Sequence, residues 1–242
     1  DDNGAYVVAL TVTDVSGSTG QASGTLNVTN VVPTFTLVSG GATLDEGSEY
    51  TLGMTATADP GDDTISKWTI NWGDGNTETV AGTATAATHT YVDSGNFTIS
   101  ATATDEDGTY AAENTLSLAV ANVAPTVAIT GLDPSITEGT TVTLGSAVTD
   151  PGSADTFIYK WTVTRDGAAY LTGTDSNLTL TYDDNGAYEV TLKVTDDDGG
   201  AGEDVQEASA SDIAPTVTRD GATKIRVGEV YTLTFSAADP GN

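Results

Sequence analysis

The chain has 242 residues, with 35 acidic against 7 basic side chains and a formal net charge of −28. Nucleic acids and anionic membranes are poor partners for it, because binding them needs Lys and Arg side chains that displace counterions. Cysteine is absent, so no disulfide framework is possible, and no apolar run approaches the ~20 residues of a transmembrane helix.

One stretch occurs three times and sets the organisation of the chain. In its third copy, residues 181–200, apolar residues at 188, 190, 192 and 194 alternate with polar ones, a period of two that is typical of a strand with one buried face. The first two copies alternate in the same way from Tyr6 to Val12 and from Phe97 to Ala103. An aspartate follows each strand, at spacings of 91 residues: Asp14, Asp105 and Asp196. The sequence is therefore a tandem array, with a repeat near the roughly 100 residues of a β-sandwich domain.

Residues 1–30 are predicted to end one repeat, with a strand to Val12 and another over 25–28. A short linker follows as Asn30-Val31-Val32-Pro33, and it recurs at 122–125 and at 212–215. Proline lacks an N–H and suits the start of a strand. Each linker is therefore predicted to open a strand, over 34–37, 126–129 and 216–218.

A second strand is predicted over 49–58, 140–149 and 230–238, and each copy runs into an Asp-Pro-Gly reversal. Beyond it Trp68, Ile70 and Trp72 alternate, and a further strand ends at Tyr91 or Tyr182. These elements give about seven short strands per repeat without helical periodicity. The predicted fold class is all-β: tandem Ig-like antiparallel β-sandwiches arranged end to end.

The predicted domains are the C-terminal part of one repeat (1–30), two full repeats (31–122 and 123–213) and the N-terminal part of another (214–242). A hairpin alone is marginal in water, so we expect the natural protein to continue in both directions.

The order of motifs in the first full repeat resembles the polycystic-kidney-disease (PKD) domains of large exported proteins. The residues that carry the resemblance are Glu46-Gly47, Asp59-Pro60-Gly61, Trp72-Gly73-Asp74-Gly75, His89-Thr90-Tyr91, Gly95-Asn96-Phe97 and Thr104-Asp105-Glu106-Asp107-Gly108. The second repeat has Arg165-Asp166-Gly167 in place of residues 72–75 and no match for His89, which leaves an Ig-like or cadherin-like relative open for it. The resemblance implies a non-catalytic extracellular spacer or binding module that accompanies adhesins and secreted hydrolases, and that holds calcium in some members.

Acidic and amide residues recur where an Ig-like sandwich brings loops together. The start of the first strand, the loop between the second and third strands and the last hairpin turn lie at one end, here called the leading end; the opposite end is the trailing end. The first full repeat is predicted to gather there Asn30, Asp59, Asp62, Asp63, Asp105 and Asp107. The second is predicted to gather Asn122, Asp150, Asp155, Asp196 and Asp198, and the last partial repeat contributes Asp212 and Asp239.

These groups predict calcium as the cofactor. Calcium takes roughly six to eight oxygen ligands from carboxylates, amides and carbonyls, and two carboxylates about 4 Å apart repel by roughly 4 kcal/mol at an effective dielectric constant near 20. The alternative is that Asp, Asn and Gly simply form turns and the acids point into water. The pattern is not an EF-hand, because residues 105–108 and 196–199 lack the alternating acids with glycine at the sixth position.

Aromatic residues and a lone histidine offer the other candidate sites. Trp68 and Trp72 share the side of Ile70 and are predicted to face the core, although Arg165 at the place of Trp72 leaves a rim position and a carbohydrate platform open. His89 is predicted to be a structural hydrogen-bonding residue. Glu46 and Glu138, in Glu-Gly turns, are predicted to face solvent.

Catalysis is not predicted, since no Ser–His–acid or Cys–His pairing recurs and every carboxylate pair lies in a repeating turn. The predicted function is a structural or adhesive segment of an extracellular, cell-surface or matrix protein, stiffened by calcium between repeats. Its partners would be neighbouring repeats, further copies in fibres, or a polysaccharide or surface protein. The alternative is a carbohydrate- or protein-binding accessory module of a secreted multidomain enzyme.

Overall fold

The computed structural model of the chain describes residues 3–56 and 63–241. They are built from strands, turns and loops, and none of them belongs to a helix long and apolar enough to cross a bilayer. The chain divides into two compact units, Asp1–Asn122 and Val123–Asn242.

The first unit begins with an antiparallel hairpin of β1 (Gly4–Thr13) and β2 (Thr19–Val28). The second strand starts earlier than the predicted residue 25. The apolar side of β1 is exposed, with Tyr6 at 42% and Leu10 at 62%. The alternation of apolar and polar residues thus predicted β1, but the apolar face of this strand is exposed to solvent.

The first full repeat follows in the same unit as a two-sheet sandwich. Its strands are β3 (Phe35–Ser39), β4 (Thr43–Asp45), β5 (Glu49–Ala56), β6 (Lys67–Asn71), β7 (Thr77–Ala81), β8 (Ala86–Thr90), β9 (Gly95–Thr104), β10 (Thr109–Ala111) and β11 (Leu116–Ala121). One sheet has the order β3-β5-β8; the other has the order β4-β11-β9-β6-β7, with β10 paired to β9. Residues 57 and 58, the predicted end of the second strand, lie outside the described residues.

The second unit repeats this architecture and ends in a further hairpin. Its strands are β12 (Thr126–Thr130), β13 (Ser135–Thr137), β14 (Thr141–Thr149), β15 (Phe157–Arg165), β16 (Ala168–Gly173), β17 (Asn177–Thr181), β18 (Gly186–Asp196), β19 (Ala201–Ser211), β20 (Thr216–Gly221) and β21 (Leu233–Ala238). The two sheets have the orders β12-β14-β17 and β13-β19-β18-β15-β16, and β20 pairs with β21. The prediction of tandem antiparallel sandwiches is confirmed, and β21 begins three residues later than predicted.

Each repeat packs a core between its two sheets. Alternate residues of β18 are buried, including Val190, Leu192 and Val194, because one face of the strand lies against the opposite sheet. The central tryptophans are buried as predicted, and their indole N–H groups find backbone acceptors: Trp68 donates to the carbonyl of Gly82 and Trp161 to that of Asp175. A buried indole N–H usually finds such an acceptor, whereas Nε1 of the buried Trp72 has no hydrogen-bond partner among the described residues.

The short strands β4 and β13 pair in parallel with the last long strand of their repeats, β11 and β19. All other described pairings are antiparallel. Each repeat therefore places a strand from its beginning beside the strand that leads out of it.

Candidate functional site

Strand register brings two acidic segments of the second repeat to its leading end. Thr126 at the start of β12 pairs with Thr149 at the end of β14, and Phe157 at the start of β15 pairs with Asp196 at the end of β18. The loop at 150–156 and the turn at 196–200 therefore lie at the same end of the sandwich. This is the arrangement from which the candidate ligands were predicted.

Three carboxylates converge there. Asp150, Asp155 and Asp196 each offer an oxygen, and these oxygens lie within 4.8 Å of one another. Asp198 adds a fourth acid, with an oxygen within 4.8 Å of one from Asp155. Asp196 is only 3% exposed, while Asp150 and Asp155 are half-buried. The sandwich thus concentrates negative charge in a partly dehydrated place, where carboxylates repel more strongly than in water.

The backbone fixes two of these side chains by one oxygen each. Asp150 Oδ1 accepts the N–H of Gly152 at 2.9 Å, and Asp196 Oδ1 accepts the N–H of Gly200 at 2.7 Å. The other oxygen of Asp150, Oδ2, is buried and accepts no hydrogen bond from any described residue. A buried carboxylate oxygen without a donor is costly, and a bound cation would supply the missing interaction.

The first repeat has a buried aspartate, Asp105, at the position that corresponds to Asp196. Asp105 Oδ1 accepts the N–H groups of Asp107 and Gly108 at 2.9 and 2.8 Å. Its Oδ2 is buried and, like Oδ1 of Asn30, has no hydrogen-bond partner within residues 3–56 and 63–241. The amide nitrogen of Asn30 donates to Tyr110 at 3.0 Å. Both leading ends thus contain a buried carboxylate oxygen that no described donor reaches.

The remaining candidate ligands are not part of the group formed by Asp150, Asp155 and Asp196. Asp59 and Asp62 lie outside the described residues, and Asp63 and Asn122 are half-buried. Asp107 is exposed and accepts a hydrogen bond from Asn3. Asp212 and Asp239 are exposed, and Asp239 accepts the N–H of Gly241 at 3.2 Å.

Two acids at the leading end were missed by the sequence reasoning. Glu106 accepts the N–H and the hydroxyl of Thr64, at 3.0 and 2.9 Å, and Asp197 accepts the N–H of Thr156 at 2.8 Å. These hydrogen bonds lower the pKa of both carboxyl groups. The two acids are 91 residues apart, and this recurrence was the signal that could have identified them. They tie the loop before the third strand to the last hairpin turn.

The predicted role of His89 agrees with its surroundings. Nε2 of the ring lies 2.7 Å from Oδ2 of Asp74, and the ring is stacked on Trp72. Trp72 is 1% exposed, and its neighbour Tyr91 donates to the carbonyl of Trp72 at 2.9 Å. Burial raises the pKa of the Tyr91 hydroxyl. The indole of Trp72 is therefore a core group and not a surface platform for a sugar ring.

The prediction that Glu46 and Glu138 face solvent is wrong. Their exposed fractions are 1% and 2%. Glu138 Oε1 accepts the N–H of Ile213 at 2.8 Å, and Oε2 accepts that of Asn185 at 3.0 Å. These donors come from distant parts of the chain and compensate the burial of the carboxylate.

Comparison with known proteins gives one family and several similar structures. The family model described as PKD domain matches residues 30–120 and 122–210, which is most of the chain. None of the curated proteins compared with the chain matches it.

A solved tetra-tandem repeat from the extending region of a large adhesion protein is 20% identical, with a TM-score of 0.47, covering 97% of this chain and 64% of that one. The Yersinia pseudotuberculosis adhesin InvE is 17% identical, with a TM-score of 0.31 and coverages of 73% and 58%. Fibronectin(III)-like modules of Clostridium thermocellum CbhA are 18% identical, with a TM-score of 0.32 and coverages of 73% and 93%. The chain thus spans less than two thirds of the two adhesin chains.

Proposed function

We propose that this chain, which belongs to the PKD domain family, is a non-catalytic structural and adhesive segment of an extracellular surface or matrix protein, in which calcium at the leading ends stiffens the repeats. The tandem family matches support the structural role, since domains repeated along a chain form linear arrays in which each contacts its neighbours. We place the domain limits at 31–122 and 123–213, flanked by partial repeats at 1–30 and 214–242. The partners of each repeat would be its neighbours and, through the outer surfaces, further copies or a surface ligand.

The observation that carries the calcium proposal is the group formed by Asp150, Asp155 and Asp196, with Oδ2 of Asp150 buried and no described donor within reach. Carboxylate oxygens are the ligands that calcium prefers, and backbone carbonyls and water complete its usual roughly six to eight positions. The ion would cancel the repulsion among the three side chains. Because these come from two separate loops, it would also tie the loops together.

Calcium would then stabilise the folded repeat by mass action. An ion that binds only the folded state adds about 2.7 kcal/mol at a concentration of 100 times its dissociation constant. The acids carry out no reaction in this account, and their function is to hold the ion and fix the leading end.

Thermal unfolding in calcium and in EDTA tests the proposal, together with metal analysis of the purified chain. We expect calcium to raise the midpoint of the wild type, and Asp155→Asn to remove most of that rise. Asp175→Asn is the matched control, since Asp175 is exposed in the same repeat. Equal midpoints in calcium and EDTA, with no bound metal found, would overturn the calcium proposal and leave the sandwich architecture intact.

A further inference from the structure

The trailing end of the second repeat contains a buried carboxylate that holds the linker leaving the repeat. Glu138, 2% exposed, accepts the N–H of Ile213 and that of Asn185. Asn185 lies in the turn before β18, within the sandwich, whereas Ile213 lies in the linker to β20. One carboxylate therefore connects the body of the repeat to the segment that follows it.

This contact continues the parallel pairing of β13 with β19. The pairing ends with Thr137 opposite Ser211, and the N–H of Glu138 then donates to the carbonyl of Ser211 at 3.1 Å. Two residues further on, the N–H of Ile213 donates a hydrogen bond to the side chain of Glu138. The carboxylate thus extends the hydrogen bonding beyond the last strand, where a linker would otherwise be solvated.

Two glycines let the following segment approach this carboxylate. Gly139 has φ of 78°, which strains residues with a side chain, and a Cβ built on it would lie 2.8 Å from Cβ of Pro240. A Cβ built on Gly241 would lie 2.5 Å from Oε2 of Glu138. Pro240 and Gly241 form the Asp-Pro-Gly turn after β21. That turn lies against Glu138 and Gly139 at a distance that leaves no room for a methyl group.

We propose that Glu138 and Gly139 form a docking socket for the next repeat. The socket binds the N–H of Ile213 in the linker and the Asp-Pro-Gly turn of that next repeat, and so fixes the direction in which the chain leaves the sandwich. This inference deepens the proposed structural function and rests on it. It assigns a role to a Glu-Gly pair that sequence reasoning placed in solvent. The socket needs no cation, since backbone N–H groups satisfy the carboxylate.

The first repeat contains the same two components. Glu46 is 1% exposed, and its N–H donates to the carbonyl of Ala121 at 3.0 Å, as that of Glu138 does to Ser211. Gly47 has φ of 71° and donates to the carbonyl of Tyr91 at 2.8 Å, while Gly139 donates to that of Tyr182 at 2.7 Å. The Glu-Gly pair is therefore built in the same way in both sandwiches.

Amide hydrogen exchange of the whole 242-residue chain, measured by NMR in EDTA, tests the socket. We expect Glu138→Ala to speed exchange at Ile213 by about tenfold or more, while the amide of Leu192 in β18 keeps its protection. Glu189→Ala, an exposed acid of β18, is the matched control and is expected to change neither amide. An unchanged exchange rate at Ile213 in the Glu138→Ala chain would overturn the proposal.

If Glu138→Ala unfolds the repeat, so that the amide of Leu192 also loses its protection, a second variant tests the socket. Gly241→Ala introduces a methyl group against Oε2 of Glu138 from outside the sandwich. Because Oε2 accepts the N–H of Asn185 and Oε1 that of Ile213, this variant is expected to speed exchange at both amides while Leu192 keeps its protection. Gly24→Ala, whose added methyl meets nothing within 4 Å, is its control. Protection of Ile213 that persists in Gly241→Ala refutes the socket. Because all samples contain EDTA, this result is independent of whether calcium shifts the melting midpoint.

Discussion

Nε2 of His89 lies 2.7 Å from Oδ2 of Asp74, and the imidazole ring is stacked on the indole of Trp72 with 4.8 Å between centroids and 9° between planes. Burial of Asp74 opposes its ionisation, but the hydrogen bonds from His89 and Asn76 and the charge of His89 outweigh that effect and lower its pKa below 3.8. The ionised carboxylate therefore holds His89 over the core of the first repeat.

The first prediction follows from this pair. A carboxyl group whose pKa is lowered by folding contributes stability above its unfolded pKa, and the contribution is lost as the pH falls through the folded value. We expect Asp74→Asn to destabilise the chain by about 1–2 kcal/mol near neutral pH, and the difference from the wild type to close well below pH 3.8. Urea unfolding at several pH values measures it. Asp45→Asn, an exposed change in the same repeat, serves as the control, and a difference that persists in strong acid would contradict the ionic origin.

A second prediction compares the same position in two copies of the repeated stretch. Leu192 is fully buried, whereas Leu10, 182 residues earlier in the array, is 62% exposed. Leu192→Ala is expected to cost about 2–5 kcal/mol because it leaves a cavity, and Leu10→Ala is expected to stay within about 0.5 kcal/mol. Denaturant unfolding of the two variants measures both values. Equal losses would mean that β1 is covered in solution.

A third prediction concerns the three tryptophans, which are all at most 2% exposed. Their fluorescence is expected to be blue-shifted and weakly quenched by iodide in the folded chain, with quenching rising on unfolding in guanidinium. Insoluble glycans are expected to leave the emission unchanged, since no tryptophan in the described residues offers a free ring face. A glycan-induced shift of the emission would restore the carbohydrate platform.

A fourth prediction concerns Asp197, whose pKa is lowered by the hydrogen bond from the N–H of Thr156. Asp197→Asn is expected to speed amide exchange at Thr156 severalfold while the strands keep their protection. In the wild type the same amide is expected to lose protection as the pH falls through the lowered pKa, because the protonated acid is a weaker acceptor. Asp175→Asn is the control, and an unchanged Thr156 would show that the loop is held by other contacts.

Much of the architecture could be predicted from the sequence, since alternation of period two is a local signal and the 91-residue repeat can be read directly from recurring motifs. The convergence of Asp150 and Asp196 was predictable as well, because strand order in a sandwich fixes which loops meet. Their role as metal ligands stays a prediction.

Glu138 could not be placed in the same way. Its two donors, Asn185 and Ile213, are 47 and 75 residues away in sequence. A Glu-Gly pair is also compatible with an exposed turn, so the pair itself does not indicate burial. Glu106 and Asp197 escaped for a related reason. Each lies beside a buried aspartate in a run of three acids and is itself exposed, and only the path of the backbone decides which of the three caps a neighbouring loop.

The parallel pairing of β13 with β19 has a mechanical consequence. Tension that draws the two ends of this repeat apart pulls these strands past each other along their length, so that their hydrogen bonds are loaded together in shear. The hairpin of β1 and β2, gripped at its open end, would instead unzip one bond at a time. In a tandem array of such sandwiches under sustained tension, each repeat would resist extension until several of these hydrogen bonds break together.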